Sequence, residues 1–176
     1  MDSRGFAPLA REDARVLILG SLPGAESLRQ RRYYAQPRNA FWPIMGALFG
    51  AGPERPYEAR VRRLLARRIA VWDVCERAYR AGSLDTAIVR DSIVVNDFGG
   101  FFASHPRLAL ICFNGATAET LYRRLVLPGL AAGAARLPSR RLPSTSPAHA
   151  ALPFATKLAA WTLIASAAAA GRGRRA

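Results

Sequence analysis

Lysine is almost missing from this chain, and acids are scarce. Its 176 residues carry 26 Lys+Arg against 12 Asp+Glu, a formal net charge of +14, and Lys157 is the single lysine. Arginine offers a planar fork for phosphate and a flat face for stacking on bases. An excess this large favours a polyanionic partner. An arginine-rich, high-GC proteome is the competing explanation for the charge taken alone. Cysteine is scarce too, at two, Cys75 and Cys112. Two thiols cannot hold an iron–sulfur cluster, which usually takes four, and zinc-ligand spacing is absent. Each lies in an apolar stretch read as a strand, where a small buried thiol is the default. The amino-terminal stretch has no apolar segment of the signal-peptide kind, and no run of about 18 apolar residues goes unbroken. A cytoplasmic location away from membranes is the expectation. No Gly-Lys-Ser/Thr follows a glycine-rich turn, so a P-loop is excluded, and Gly-x-Gly-x-x-Gly is missing as well. No internal repeat is found.

What is present is a soluble, core-forming composition. Half of the residues are hydrophobic and mean hydropathy is +0.03. The length suits one domain, residues 1–170, followed by a basic, disordered tail, 171–176. Apolar runs at Arg15–Gly20, Ile69–Val74 and Leu108–Phe113 read as buried strands. Arg140–Pro143 reads as a short fourth strand. Helices are expected at Phe41–Phe49, Tyr57–Arg68, Asp85–Val95, Ala116–Arg124 and Ala148–Ala169, and Gly129–Arg136 as a surface loop. Strands that alternate with helices, and that are apolar on both faces, make an α/β fold with a mainly parallel sheet covered on both sides. Ligands of such sheets sit at the carboxyl ends of the strands. The site is therefore expected just after Leu19, Val71, Phe113 and Leu142.

Three segments near those strand ends carry chemistry. Gly20-Ser-Leu-Pro-Gly24 is a tight turn whose backbone N–H groups, around Ser21 and Leu22, can face a ligand. In Tyr33-Tyr-Ala-Gln-Pro-Arg-Asn-Ala-Phe-Trp42, aromatic and cationic residues interleave. Phe41 and Trp42 are assigned to the core. Tyr34 is assigned to a ligand, because an aromatic face stacks a base for roughly 1–3 kcal/mol. Arg141-Leu-Pro-Ser-Thr-Ser-Pro-Ala-His149 precedes a helix whose start suits phosphate; ordinary capping by Ser144 or Ser146 is the alternative. Asp73 either accepts from a base N–H or caps the turn after its strand. Asn114 either reads a base edge or simply forms an Asn-Gly turn.

In their order along the chain, these segments resemble the uracil-DNA glycosylase superfamily. "GSLPG" stands at its first, water-positioning motif. "YYAQPRNAFW" is similar to the Pro-x-Asn-x-Phe-Trp of its mismatch-specific members, and "LPSTSPAHA" to its second motif, a loop that enters the minor groove. "GSLDTAIVRDSIVVNDFGGFF" and "FNGATAETLY" are most similar to the hypoxanthine-DNA glycosylase branch. The resemblance spans about residues 14 to 165. It implies a three-layer α/β/α sandwich around a four-stranded, mainly parallel sheet. It implies a nucleoid-associated monomer that acts on DNA containing deaminated bases, uracil and/or hypoxanthine, and cuts the N-glycosidic bond.

The resemblance assigns the essential polar role to Asn39. Ser21, Leu22, Tyr34, Asp73 and Asn114 would surround the extruded base. Arg38 (with Arg31 and Arg32), Ser144, Thr145, Ser146, Pro147 and His149 would contact the DNA backbone. Two positions depart from the superfamily pattern. Leu22 replaces an acid or amide, and Leu142 replaces a His or Asn. An inactive DNA-binding protein of the same fold is thus the alternative. A lyase would need an amine nucleophile, and Lys157 is expected mid-helix, far from these loops. A monofunctional enzyme without metal or cofactor is expected.

Overall fold

Neighbouring residues of the central strand enter two different cores. Val16 and Ile18 pack on one side of the sheet, Leu17 and Leu19 on the other. The computed structural model describes residues 2–170, so the expectation for the arginine-rich tail lies outside the described residues. The chain runs β1 (Asp2–Arg4), β2 (Val16–Gly20), α1 (Ala25–Gln30), α2 (Phe41–Phe49), α3 (Tyr57–Ala66), β3 (Ile69–Asp73), β4 (Cys75–Tyr79), β5 (Val94–Val95), α4 (Phe98–Ser104), β6 (Leu110–Asn114), α5 (Ala116–Leu121), α6 (Ala132–Ala135), β7 (Ser139–Leu142), α7 (Phe154–Trp161) and α8 (Leu163–Ala169).

Strands β3, β2, β6 and β7 form one parallel sheet in that spatial order. Their period-2 alternation repeats that of the central strand: Ile69, Val71 and Cys112 join the first core, and Ala70, Trp72, Ile111 and Phe113 the second. Helices α2, α3, α7 and α8 cover the first face through Phe41, Trp42, Met45, Leu64, Trp161 and Ile164. Helices α4 and α5 cover the second through Phe98, Phe101, Phe102 and Ala118. This is the expected three-layer α/β/α sandwich. Burial also pushes both free thiols, Cys75 and Cys112, up to about 12, so neither is a ready nucleophile.

Several expectations need correction. The stretch Asp85–Val95 is not a helix. It forms two 3₁₀ turns, Asp85–Ala87 and Arg90–Ser92, and then β5. Its β-branched residues Ile88, Val89, Ile93, Val94 and Val95 favour extended backbone. With β1 and β4, β5 makes a small antiparallel sheet that the sequence reading did not foresee. The last helix starts only at Phe154: Pro153 stands outside it as the N-cap, at φ −58° and ψ 150°, and a proline disfavours helical backbone in the residue before it. It breaks again at Thr162, whose Oγ1 donates to the Ala159 carbonyl at 2.7 Å. The expected loop Gly129–Arg136 holds the short α6, and Ala25–Gln30 adds a further helix, α1. Among the described residues, no helix is long and apolar enough to cross a membrane.

Candidate active site

The four parallel strands end together at Gly20, Asp73, Asn114 and Leu142. A cleft of about 1060 Å³ opens there, and Ser21, Leu22, Tyr34, Arg38, Asn39, Asp85 and the Ser144–His149 segment line it. The three sequence segments therefore meet around one cavity.

Asp73 ends β3 and is only 4% exposed. Its Oδ2 has no hydrogen-bond partner, and so it caps no turn through that atom. Burial, and next the charge of Asp85, push its carboxyl up to about 8, with Arg80 opposing. At neutral pH it is mostly a neutral acid, able to donate and to accept. Its Oδ1 lies where a side chain on residue 20 would go, 2.4 Å from an added Cβ. Gly20 thus makes room for this carboxyl.

Tyr34 sits next to it. Its backbone is left-handed, with φ at 54°, a conformation that costs an L-residue roughly 1–2 kcal/mol. The ring is stacked on Phe41, centroids 3.9 Å apart and planes at 19°. One face is covered in this way, and the ring also borders the cleft. The phenol is held far above its ordinary range by burial and by Asp73. Phe41 and Trp42 are buried, as assigned.

Asn39 is tied to the start of α2. Its Oδ1 accepts from the Phe41 N–H at 2.9 Å. A backbone N–H demands an acceptor, so the carboxamide orientation is set. The NH₂ group is the part left for a ligand.

Asn114 lines the cleft as expected, and both ends of its carboxamide are engaged with Thr145. Its Oδ1 accepts from the Thr145 N–H and its Nδ2 donates to Thr145 Oγ1, both at 2.9 Å. Thr145 is 1% exposed, and its carbonyl accepts from the Ala40 N–H at 2.9 Å. The pair therefore clasps the ends of β6 and β7 to the segment carrying Asn39, and Thr145 offers DNA no exposed surface. Gly115 has φ at 96°, and a Cβ there would come within 3.0 Å of Ser144, so glycine lets the loop approach. Ser144 Oγ accepts from Ser146 N, and Ser146 Oγ from Ala148 N, both at 3.2 Å. These are local turn bonds. Pro147 and His149 form a 3₁₀ turn at the rim, with His149 exposed. Lys157 is not remote. It is buried in α7, and its Nζ donates to the His149 carbonyl at 2.8 Å, supporting this turn from beneath.

The Gly20–Gly24 turn is fastened from outside the foreseen motifs. Leu22 packs its side chain with Cys75 and Ala78. Its carbonyl accepts from the buried Arg80 guanidinium at 3.3 Å, which also donates to the Pro23 and Gly82 carbonyls. Ser21 Oγ donates to Asp85 Oδ1 at 2.7 Å. Neither Arg80 nor Asp85 drew attention in the sequence. Of the arginines expected at phosphates, Arg38 borders the cleft. Arg32 pairs instead with Glu58 at 3.7 Å and lies over the Tyr57 ring.

The comparisons with known proteins agree with this layout. A profile described as the Uracil DNA glycosylase superfamily matches residues 7–164. The chain belongs to this superfamily, a class of monofunctional DNA N-glycosylases. Two relatives carry the name hypoxanthine DNA glycosylase. The one from Methanosarcina acetivorans is 42% identical over 119 residues, 67% of this chain and 74% of that protein. The one from Methanosarcina barkeri is 38% identical over 116 residues, 65% and 72% respectively. A solution NMR structure from Methanosarcina acetivorans, described as a candidate uracil DNA glycosylase, matches with a TM-score of 0.73. It is 34% identical, and the match covers 93% of this chain and 99% of that one.

Proposed function

We propose that this chain extrudes a deaminated base from DNA, hypoxanthine foremost and uracil through the same edge, and hydrolyses its N-glycosidic bond, leaving an abasic site. The observation that carries this is the unpaired, buried carboxyl of Asp73 beside the Phe41-backed ring of Tyr34. Hypoxanthine presents a carbonyl beside an N–H, and so does uracil. A neutral carboxylic acid matches that edge twice: its O–H donates to the carbonyl, and its C=O accepts from the N–H.

Extrusion from the duplex costs a few kcal/mol, less at a mismatch. Stacking on Tyr34 returns roughly 1–3 kcal/mol of this. The Asn39 NH₂ group donates to an acceptor on the leaving base and stabilises the charge that develops as the bond breaks. Arg38 and the Ser144–His149 rim hold the flanking backbone, with Arg38 on a phosphate. The test is direct: single- and double-stranded oligonucleotides carrying hypoxanthine or uracil are incubated with the protein and free base is measured. Hypoxanthine release is expected. Intact substrate with every lesion overturns the reading.

A further inference from the structure

Hydrolysis at a sugar carbon needs a water aimed at that carbon. It also needs a negative charge near the cation-like centre that forms, and carboxylates commonly supply both. The turn after β2 offers none, because Leu22 fills it and faces Cys75 and Ala78. The structure brings another carboxylate to the same place. Asp85 enters on a 3₁₀ turn, and its side chain is 39% exposed at the cleft. Ser21 Oγ donates to its Oδ1 at 2.7 Å, and Arg80 lies at 3.9 Å. A second feature marks the spot as a ligand site. Asp73, 4% exposed, lines the same cleft with Oδ2 unpaired.

We propose that Asp85 is the carboxylate of the hydrolytic step, orienting and deprotonating the water that attacks C1′ of the extruded nucleotide. This rests on the glycosylase reading above. The N–C1′ bond breaks and its electron pair leaves on the base, which Asn39 stabilises and which then takes a proton from solvent. The water oxygen bonds to C1′, and its proton passes to Asp85 and on to solvent. The two carboxyls divide the work by environment. Asp73 has no hydrogen-bonding partner at Oδ2 and keeps its proton. Asp85 has the Ser21 hydroxyl at 2.7 Å and the Arg80 cation at 3.9 Å, and both favour its charged form. Burial still raises Asp85 above the ordinary carboxylate range, against Ser21, Arg80 and Thr117. The other titratable groups that interact with these carboxyls are Tyr33, Tyr34 and Cys75, which burial holds in their protonated forms, and Arg80, a guanidinium that stays charged.

The experiment is single-turnover base release against pH for wild type and Asp85→Asn, with DNA affinity and Tm measured alongside. Asp85→Ala is assayed with and without formate. The wild-type rate is expected to fall on the acid side, as Asp85 takes up its proton. Asp85→Asn should lose about 100-fold or more in rate, lack that limb and bind DNA as before. Formate should partly restore Asp85→Ala. A rate within about threefold of wild type overturns the proposal. So does a loss that tracks lower Tm with the acid limb intact, which would mean that Asp85 only ties down Ser21. If neither variant folds, the wild-type profile decides, and a flat acid side overturns the proposal. A wild type that releases no base defeats the glycosylase reading itself, and this one with it.

Discussion

Asp73 can lie where it does only because residue 20 has no side chain. Gly20→Ala would push the carboxyl from its place, and base release should fall while DNA affinity holds, a split that single-turnover kinetics would show. The raised acidity constant has a stability consequence with a definite sign. The folded state holds the Asp73 proton up to about 8, whereas the unfolded chain releases it near 3.9. Stability is therefore fullest below about pH 4 and declines as pH rises towards 8, as far as this group is concerned. Asp73→Asn, which is neutral throughout, should raise Tm more at pH 8 than at pH 5 in thermal melts. The same substitution should abolish any fall in wild-type base release above about pH 8. At this scale Tyr34, Asn39 and Asp73 were legible, since each is an unusual residue type close to a strand end or a turn. Arg80 was not. In sequence it looks like every other arginine, and only the Leu22, Pro23 and Gly82 carbonyls around its guanidinium set it apart.

The elements form a scaffold drawn tight by few bonds. The Asn114–Thr145 pair joins two strand ends to the start of α2, and Lys157 holds the rim turn through His149. Asn114→Ala leaves the buried Thr145 N–H without its acceptor and should cost about 1–3 kcal/mol. In a domain of this size that lowers Tm by roughly 2–4 °C per kcal/mol. Thr145→Val keeps the backbone bond and should cost only about 1 kcal/mol. Calorimetry of the two variants separates these values, and equal losses would contradict the clasp. Helix α2 matches its expected span residue for residue, and the parallel strands lie within two residues of theirs, because continuous apolar runs mark three of the four strands plainly. The stretch 85–95 misled because helical and extended readings compete in short apolar runs, and partners in β4 decided it. In residues 148–169 alanine content favours helix throughout, yet one proline, Pro153, settles where the helix starts.

On the scale of the whole molecule, layering and charge together favour one face for the proposed DNA contact. Both faces of the parallel sheet are covered by helices, so its open edge for chemistry is the row of carboxyl ends. The charge of +14 would draw a polyanion to the protein, and Arg38 and Arg141 stand at the cleft. Arg38→Ala should weaken binding to all sequences alike and reduce the salt slope by about 0.9, measured by titration at several ionic strengths. A change in base preference instead would contradict a phosphate contact. Under the proposed function one cleft would both seat the base and break its bond. The most direct test is single-turnover release of hypoxanthine from a duplex by wild type and Asn39→Ala, with DNA affinity measured for both. Release by wild type is expected, with about 100-fold or more lost in the variant and affinity retained. Equal release by both proteins, or DNA binding by wild type with no base released, would contradict it.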